Sequence, residues 1–139
     1  VKLLRDAWDG PLIVKGVMCP DDAAPLEGLG VDAVWVSNHA GRQFAGSPAA
    51  IDMLPAVKAA TNLPLIFDSG IEGGLDMLRA LALGANFVMM GRAWHYALGA
   101  VGTKGPAHLY NTLVDDLKSN MIQIAATHLS DLPDLLHKY

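Results

Sequence analysis

Residues 63–92 read LPLIFDSGIEGGLDMLRALALGANFVMMGR, and this stretch decides the fold. It opens on an apolar run, Leu63–Phe67, breaks into Asp68-Ser69-Gly70, and then carries Leu75, Leu78 and Leu81 on one helical face. Gly84 stands where a left-handed helix C-cap is wanted, and a second apolar run, Phe87–Met90, ends in Gly91-Arg92. Both runs are brief and neither alternates cleanly. That is how strands buried on both faces read. Strand, helix and strand in so short a span make a βαβ unit with a right-handed crossover.

The pattern repeats outward from there. Leu12–Val17 and Ala33–Ser37 are two further apolar runs, rich in Val, Leu and Ile or Trp. Ser47-Pro48 offers an N-cap and a first-turn proline before Ile51, Leu54 and Val57. Beyond Met90 the spacing predicts a short helix around Ala93–Ala100 and a longer one opening at Pro106. The longer one carries Leu109, Leu113, Leu117 and Met121 in i, i+4 steps. Val1–Trp8 reads as the tail of a preceding helix, and Pro11 closes the turn into the first strand. The order is α-β-α-β-α-β-α-β-α-α, an α/β chain with parallel strands and outer helices. Periodicity alone leaves two architectures open, a doubly wound sheet and part of a (β/α)8 barrel. A full barrel needs about 250 residues, and four units are about half of one. No linker or low-complexity segment divides the chain, so residues 1–139 are read as a single domain.

Composition narrows the function. The chain has 139 residues, of which 52% are hydrophobic, with 14 glycines besides. With 10 basic and 14 acidic residues the formal charge is −4. That balance, without a run of Lys or Arg, argues against a nucleic-acid or anionic-membrane surface. A single cysteine, Cys19, excludes an internal disulfide framework and a cysteine-rich zinc site, and fits a reducing compartment. The longest uncharged stretches, residues 80–91 and 119–130, are too short to span a bilayer as helices. We expect a cytoplasmic protein, or one peripheral on the inner face of the membrane. No basic-then-apolar leader opens the chain and it begins at Val1, which suggests a processed or partial chain.

Polar residues gather just after the strands. Lys15 ends the first run, Ser37-Asn38-His39-Ala40-Gly41-Arg42-Gln43 follows the second, Asp68-Ser69-Gly70 the third and Gly91-Arg92 the fourth. In both candidate architectures ligands bind at the carboxyl ends of parallel strands. Each residue also has a plainer role. A lysine at a strand end is usually just solvated, but Lys15 interrupts a buried run. A lone histidine is more often packed than catalytic, yet His39 shares its turn with Asn38 and Arg42. Gly70 and Gly91-Arg92 suit a phosphate, since glycine lets backbone N–H groups approach and arginine forks onto oxygens. His95, His108, His128 and His137 show no metal-ligand spacing and read as structural or solvated.

Val14-Lys15-Gly16-Val17, the Ser37–Gln43 motif, Asp68-Ser69-Gly70-Ile71 and Met90-Gly91-Arg92-Ala93 together resemble the FMN-dependent α-hydroxy acid dehydrogenases. That family includes L-lactate dehydrogenases, glycolate oxidases and mandelate dehydrogenases. The resemblance runs up to about Leu132 and covers the family's C-terminal half, so these segments resemble strands five to eight of a (β/α)8 TIM barrel. Asp68-Ser69-Gly70-Ile71 followed by Gly74-Leu75-Asp76 is most similar to the bacterial L-lactate dehydrogenases. The resemblance implies His39 as the base that takes a proton from the substrate's 2-hydroxy carbon or its hydroxyl, and Arg42 as the grip on the substrate carboxylate. It implies FMN held by Lys15, Ser37, Asp68, Gly70, Gly91 and Arg92. Lys15 would lie at the N1–O2 edge of the flavin, Asp68 on the ribityl chain, and Gly70, Gly91 and Arg92 at the phosphate.

Three departures accompany the resemblance. The family usually has Gly where Ala40 and Ala125 stand, and Arg where Glu72 stands. A carboxylate cannot replace a guanidinium beside a phosphate, so Glu72 is expected to weaken FMN binding. In the family the N-terminal half supplies the substrate tyrosines, the Asp that orients the catalytic His, and most contacts to the flavin ring. The expected activity is therefore FMN-dependent oxidation of an L-2-hydroxy acid, foremost L-lactate to pyruvate, in a parent enzyme, with this stretch alone inactive. The expected partner is a small 2-hydroxy acid, in a homo-oligomer. The alternatives are another FMN-binding TIM-barrel oxidoreductase, and an inert half-barrel that only self-associates because it leaves sheet edges and an apolar face bare.

Overall fold

Four parallel strands, paired in the order β1-β2-β3-β4, organise the chain. They are β1 (Ile13–Lys15), β2 (Ala33–Val36), β3 (Leu65–Phe67) and β4 (Phe87–Val88). The computed structural model describes residues 1–136, so His137 lies outside the described residues. Each strand falls inside one of the four apolar runs and is shorter than it. Helices fill the intervals: α1 (Lys2–Ala7), α2 (Pro20–Ala23), α3 (Ala50–Ala60), α4 (Gly74–Ala82), α5 (Arg92–Val101) and α6 (Gly105–Gln123). A 3-10 turn over Leu129–Leu135 follows.

The two faces of the sheet differ. Val34, Val36, Leu65 and Phe67 are buried together with Leu54 and Val57 of α3, and burying each such side chain contributes about 1.5–3 kcal/mol. The intervening residues face the other way. Register pairs Lys15 with Trp35, Trp35 with Ile66, and Ile66 with Phe87, so these four form one row across the sheet. Ile13 and Phe87, at the two edges, are 45% and 59% exposed. The expectation of strands buried on both faces therefore holds for one face only. Apolar residues stand on the second face, but no described element covers them.

Local chemistry explains most helix ends. After α4, Gly84 takes φ 109°, its N–H donates to the Leu81 carbonyl at 3.1 Å, and the Ala85 N–H donates to the Ala80 carbonyl at 3.0 Å. That pair of bonds is the Schellman closure, and glycine sits at its left-handed position. After α6 the same closure recurs, with Ala126 bonded to Met121 at 3.0 Å and Ala125 to Ile122 at 3.1 Å. Here the left-handed residue is Ala125, at φ 56°. Gly74 and Gly105 are small for another reason: a Cβ on either would strike the backbone of α6 or α5. The Asp131 carboxylate accepts the N–H groups of His128 and Thr127 at 2.8 and 3.1 Å. The His128 bond foremost holds Asp131 below the ordinary aspartate pKa.

Two sequence expectations need correcting. Ser47 does not cap α3. The Pro48 carbonyl accepts a hydrogen bond from Asn38 Nδ2 at 3.0 Å and Ser47 closes a turn on Phe44, so the helix starts after Ala49. Leu75 does not share the buried face of Leu78, being 41% exposed, because α4 turns its buried stripe through Leu78 and Ala82 onto Leu117, Met121 and Leu132.

Candidate active site

The segments that leave the carboxyl ends of the four strands meet in a cleft of about 730 Å³. Its lining includes Lys15 from β1, His39 and Arg42 from the loop after β2, Asp68 and Gly70 after β3, and Gly91 and Arg92 after β4. That is the size of a small-molecule site. Seven of the eight residues singled out in the sequence thus line one cleft. The eighth, Ser37, is buried beneath it at 2% exposure.

Ser37 acts as a tie between loops. Lys15 Nζ donates to Ser37 Oγ at 3.1 Å and lies 3.7 Å from Asp68 Oδ2. The same ammonium stands 5.0 Å above the Trp35 ring, a cation–π distance. The His39 backbone N–H also donates to Ser37 Oγ, at 3.1 Å. From the next loop, Ser69 Oγ accepts the Ala40 N–H at 3.1 Å, donates to Asp68 Oδ1 at 2.7 Å, and lies 3.4 Å from Ser37 Oγ. Two serine hydroxyls therefore join three strand ends.

They also hold an unusual backbone. His39, Ala40 and Gly41 take φ values of 57°, 54° and 71°, three left-handed residues in succession. Each non-glycine there costs about 1–2 kcal/mol, and such strain persists only where surroundings impose it. The hydroxyls of Ser37 and Ser69 impose it here by taking the N–H groups of His39 and Ala40. The turn presents the His39 and Arg42 side chains to the cleft, both exposed to any ligand in it.

The loops after β3 and β4 bring Gly70, Glu72, Gly91 and Arg92 to the cleft. Gly70 takes φ 104°, and a Cβ on Gly70 or Gly91 would meet nothing within 4 Å, so both backbones border open space. Gly91 precedes α5, whose first N–H groups have no intrahelical acceptor. Arg92 Nη2 lies 3.7 Å from Glu72 Oε1. Sequence reasoning missed Trp35, Met89, His95 and Tyr96, which also line the cleft. His95 was detectable in principle: it follows Gly91 by one helical turn, and its Nδ1 lies 3.1 Å from the Gly91 carbonyl oxygen. Among the described residues, His, Cys, Asp and Glu form no cluster able to hold a metal ion, and no helix is long and apolar enough to cross a membrane.

Comparison with known proteins gives a consistent answer. A family model described as FMN-dependent dehydrogenase matches residues 1–138. An L-lactate dehydrogenase of Chromohalobacter salexigens is 39% identical over 131 residues, which are 93% of this chain and 33% of that protein. Among solved structures, a soluble mutant of the membrane-associated (S)-mandelate dehydrogenase of Pseudomonas putida superposes with TM-score 0.93 at 37% identity, over 99% of this chain and 40% of that one. A Pediococcus acidilactici protein provisionally named a lactate oxidase superposes with TM-score 0.91 at 37% identity, over 99% and 40%. The chain thus spans a third to two fifths of the length of these relatives.

Proposed function

This chain belongs to the FMN-dependent dehydrogenase family, and on that premise we propose that it forms one domain, the C-terminal half of a (β/α)8 barrel that oxidises L-lactate to pyruvate. In this reading the strands are the fifth to eighth of the barrel, and the bare sheet face of Ile13 and Phe87 is where the remainder of the barrel packs. The observation that carries the reading is the meeting of an imidazole, a guanidinium and an ammonium, His39, Arg42 and Lys15, in one cleft floored by glycine backbone. The lactate dehydrogenase and lactate oxidase among the relatives favour lactate over other 2-hydroxy acids.

The donor set accommodates FMN, with Glu72 beside Arg92 as the member that opposes its phosphate. Lys15 and Asp68 supply a charge pair, and Gly70, Gly91 and Arg92 supply open backbone and a guanidinium. Lys15, Ser37, Asp68, Gly70, Gly91 and Arg92 are the residues that would hold it, Ser37 by steadying Lys15 from below. When bound, FMN supplies the two-electron acceptor.

Two residues of this chain act on the substrate. Oxidation of a 2-hydroxy acid to a 2-oxo acid removes two electrons and two protons. His39 takes one proton, since an imidazole can accept one at neutral pH, and the other would leave with the two electrons that bound FMN would accept. Its backbone is fixed by Ser37, which limits where the ring can go. Arg42 grips the substrate carboxylate through a planar fork, so that the 2-hydroxy carbon meets His39 in one orientation. We place the protein in the cytoplasm or peripherally on the inner face of the membrane, as a homo-oligomer. The experiment is anaerobic mixing of the flavin-loaded complete protein with L-lactate. The flavin absorbance should bleach and pyruvate should form; an unchanged spectrum with L-lactate and with other 2-hydroxy acids contradicts the reading.

A further inference from the structure

We infer that Glu72 sets the flavin preference of this cleft, by neutralising its anion end so that a phosphorylated flavin gains little over an unphosphorylated one. The inference rests on the flavin reading above and concerns only the end built from the loops after β3 and β4. Arg92 is the cation there, and Glu72 Oε1 stands 3.7 Å from its Nη2. The formal charge of the pair is zero. A phosphate monoester carrying close to two negative charges would meet a carboxylate as well as a guanidinium, and must displace that carboxylate to use both arms of the arginine fork.

The backbone around Glu72 does not offset this. The Glu72 N–H donates to Asp76 Oδ2 at 3.1 Å, and the Gly74 N–H donates to Asp116 Oδ2 at 2.5 Å. The Glu72 N–H is therefore committed to a carboxylate, and Asp76 is itself paired with Arg79 at 3.6 Å, so of these acids it is Glu72 that lines the cleft beside Arg92. The Lys15 ammonium does not reach across, being bonded to Ser37 and paired with Asp68. What remains for a phosphate is the open backbone at Gly70 and Gly91. Those dipoles suffice to admit an anion but not to prefer it strongly while Glu72 stands beside them.

Glu72 is 77% exposed and Arg92 66%, so Glu72 can be replaced without disturbing the fold, and the repulsion it exerts is open to screening by salt. The test is fluorescence titration of the flavin-free complete protein with FMN and with riboflavin, for wild type, Glu72→Gln and Glu72→Arg, in low and high salt. Wild type should bind the two flavins within a few-fold of each other. Glu72→Gln should tighten FMN by about tenfold, and Glu72→Arg by more, leaving riboflavin unchanged; the gain should shrink in high salt. Equal FMN affinity in all three proteins, or a wild type that prefers FMN a hundredfold, overturns the role of Glu72 and leaves the flavin reading standing. Failure of every protein to bind either flavin overturns both.

Discussion

At the scale of single residues, the shape of the cleft depends on two serine hydroxyls. Ser37 and Ser69 accept the N–H groups of His39 and Ala40, and so hold a backbone those residues would otherwise leave. Ala40 in particular occupies a left-handed position that glycine takes at no steric cost. Lys15 and Asp68 were legible in the sequence because each is a charged residue in or just after an apolar run, and His39 and Arg42 because they share the polar turn that follows one. Trp35 and Tyr96 were not. An aromatic in a strand or on a helix reads as core, and only the register and helix phase show which way it faces. Arg42 carries the residue-scale prediction. Arg42→Lys in the complete protein should raise KM for L-lactate by roughly tenfold or more with a smaller loss in kcat, because an ammonium keeps the charge but not the planar fork. Steady-state kinetics read this directly, and an unchanged KM would remove Arg42 from the carboxylate.

At the scale of elements, α4 and α6 end by the same closure with different residues at the left-handed position. Gly84 fills it after α4 and Ala125 after α6. Relief of the left-handed penalty is about 1–2 kcal/mol, and the extra freedom of glycine in the unfolded chain returns about 0.4–1 kcal/mol. Ala125→Gly should therefore stabilise the protein by about 0.5–1 kcal/mol, and Gly84→Ala should destabilise it by a similar amount or more, since the added Cβ also presses on the Lys58 side chain. Urea unfolding of the two variants beside wild type checks both signs. A destabilised Ala125→Gly would mean that the unfolded-state term dominates. Gly84 was legible because glycine after an apolar helical stripe has one common use. The α3 start was not, because the Asn38 bond to the Pro48 carbonyl that keeps Pro48 in the loop spans a turn no local pattern encodes.

At the scale of the whole molecule, the parallel sense and the clustering of polar residues after the strands followed from four apolar runs with helical patterns between them, whereas the strand order β1-β2-β3-β4 did not, because that periodicity suits a doubly wound sheet as well as part of a barrel. The unequal faces did not follow, because both carry apolar residues and only the packing of α3 tells them apart. That open face, with Ile13 and Phe87 exposed, suits a chain that spans two fifths of the length of its solved relatives. In the proposed reaction it is His39 of this chain that accepts the proton beside the flavin. Stopped-flow bleaching of the flavin by L-lactate in the complete protein, wild type against His39→Gln, tests it most directly. The variant should keep its flavin, and bleaching should slow by at least about a hundredfold, the usual worth of a positioned base. Bleaching at a near-normal rate would contradict it and make His39 a bystander in the cleft.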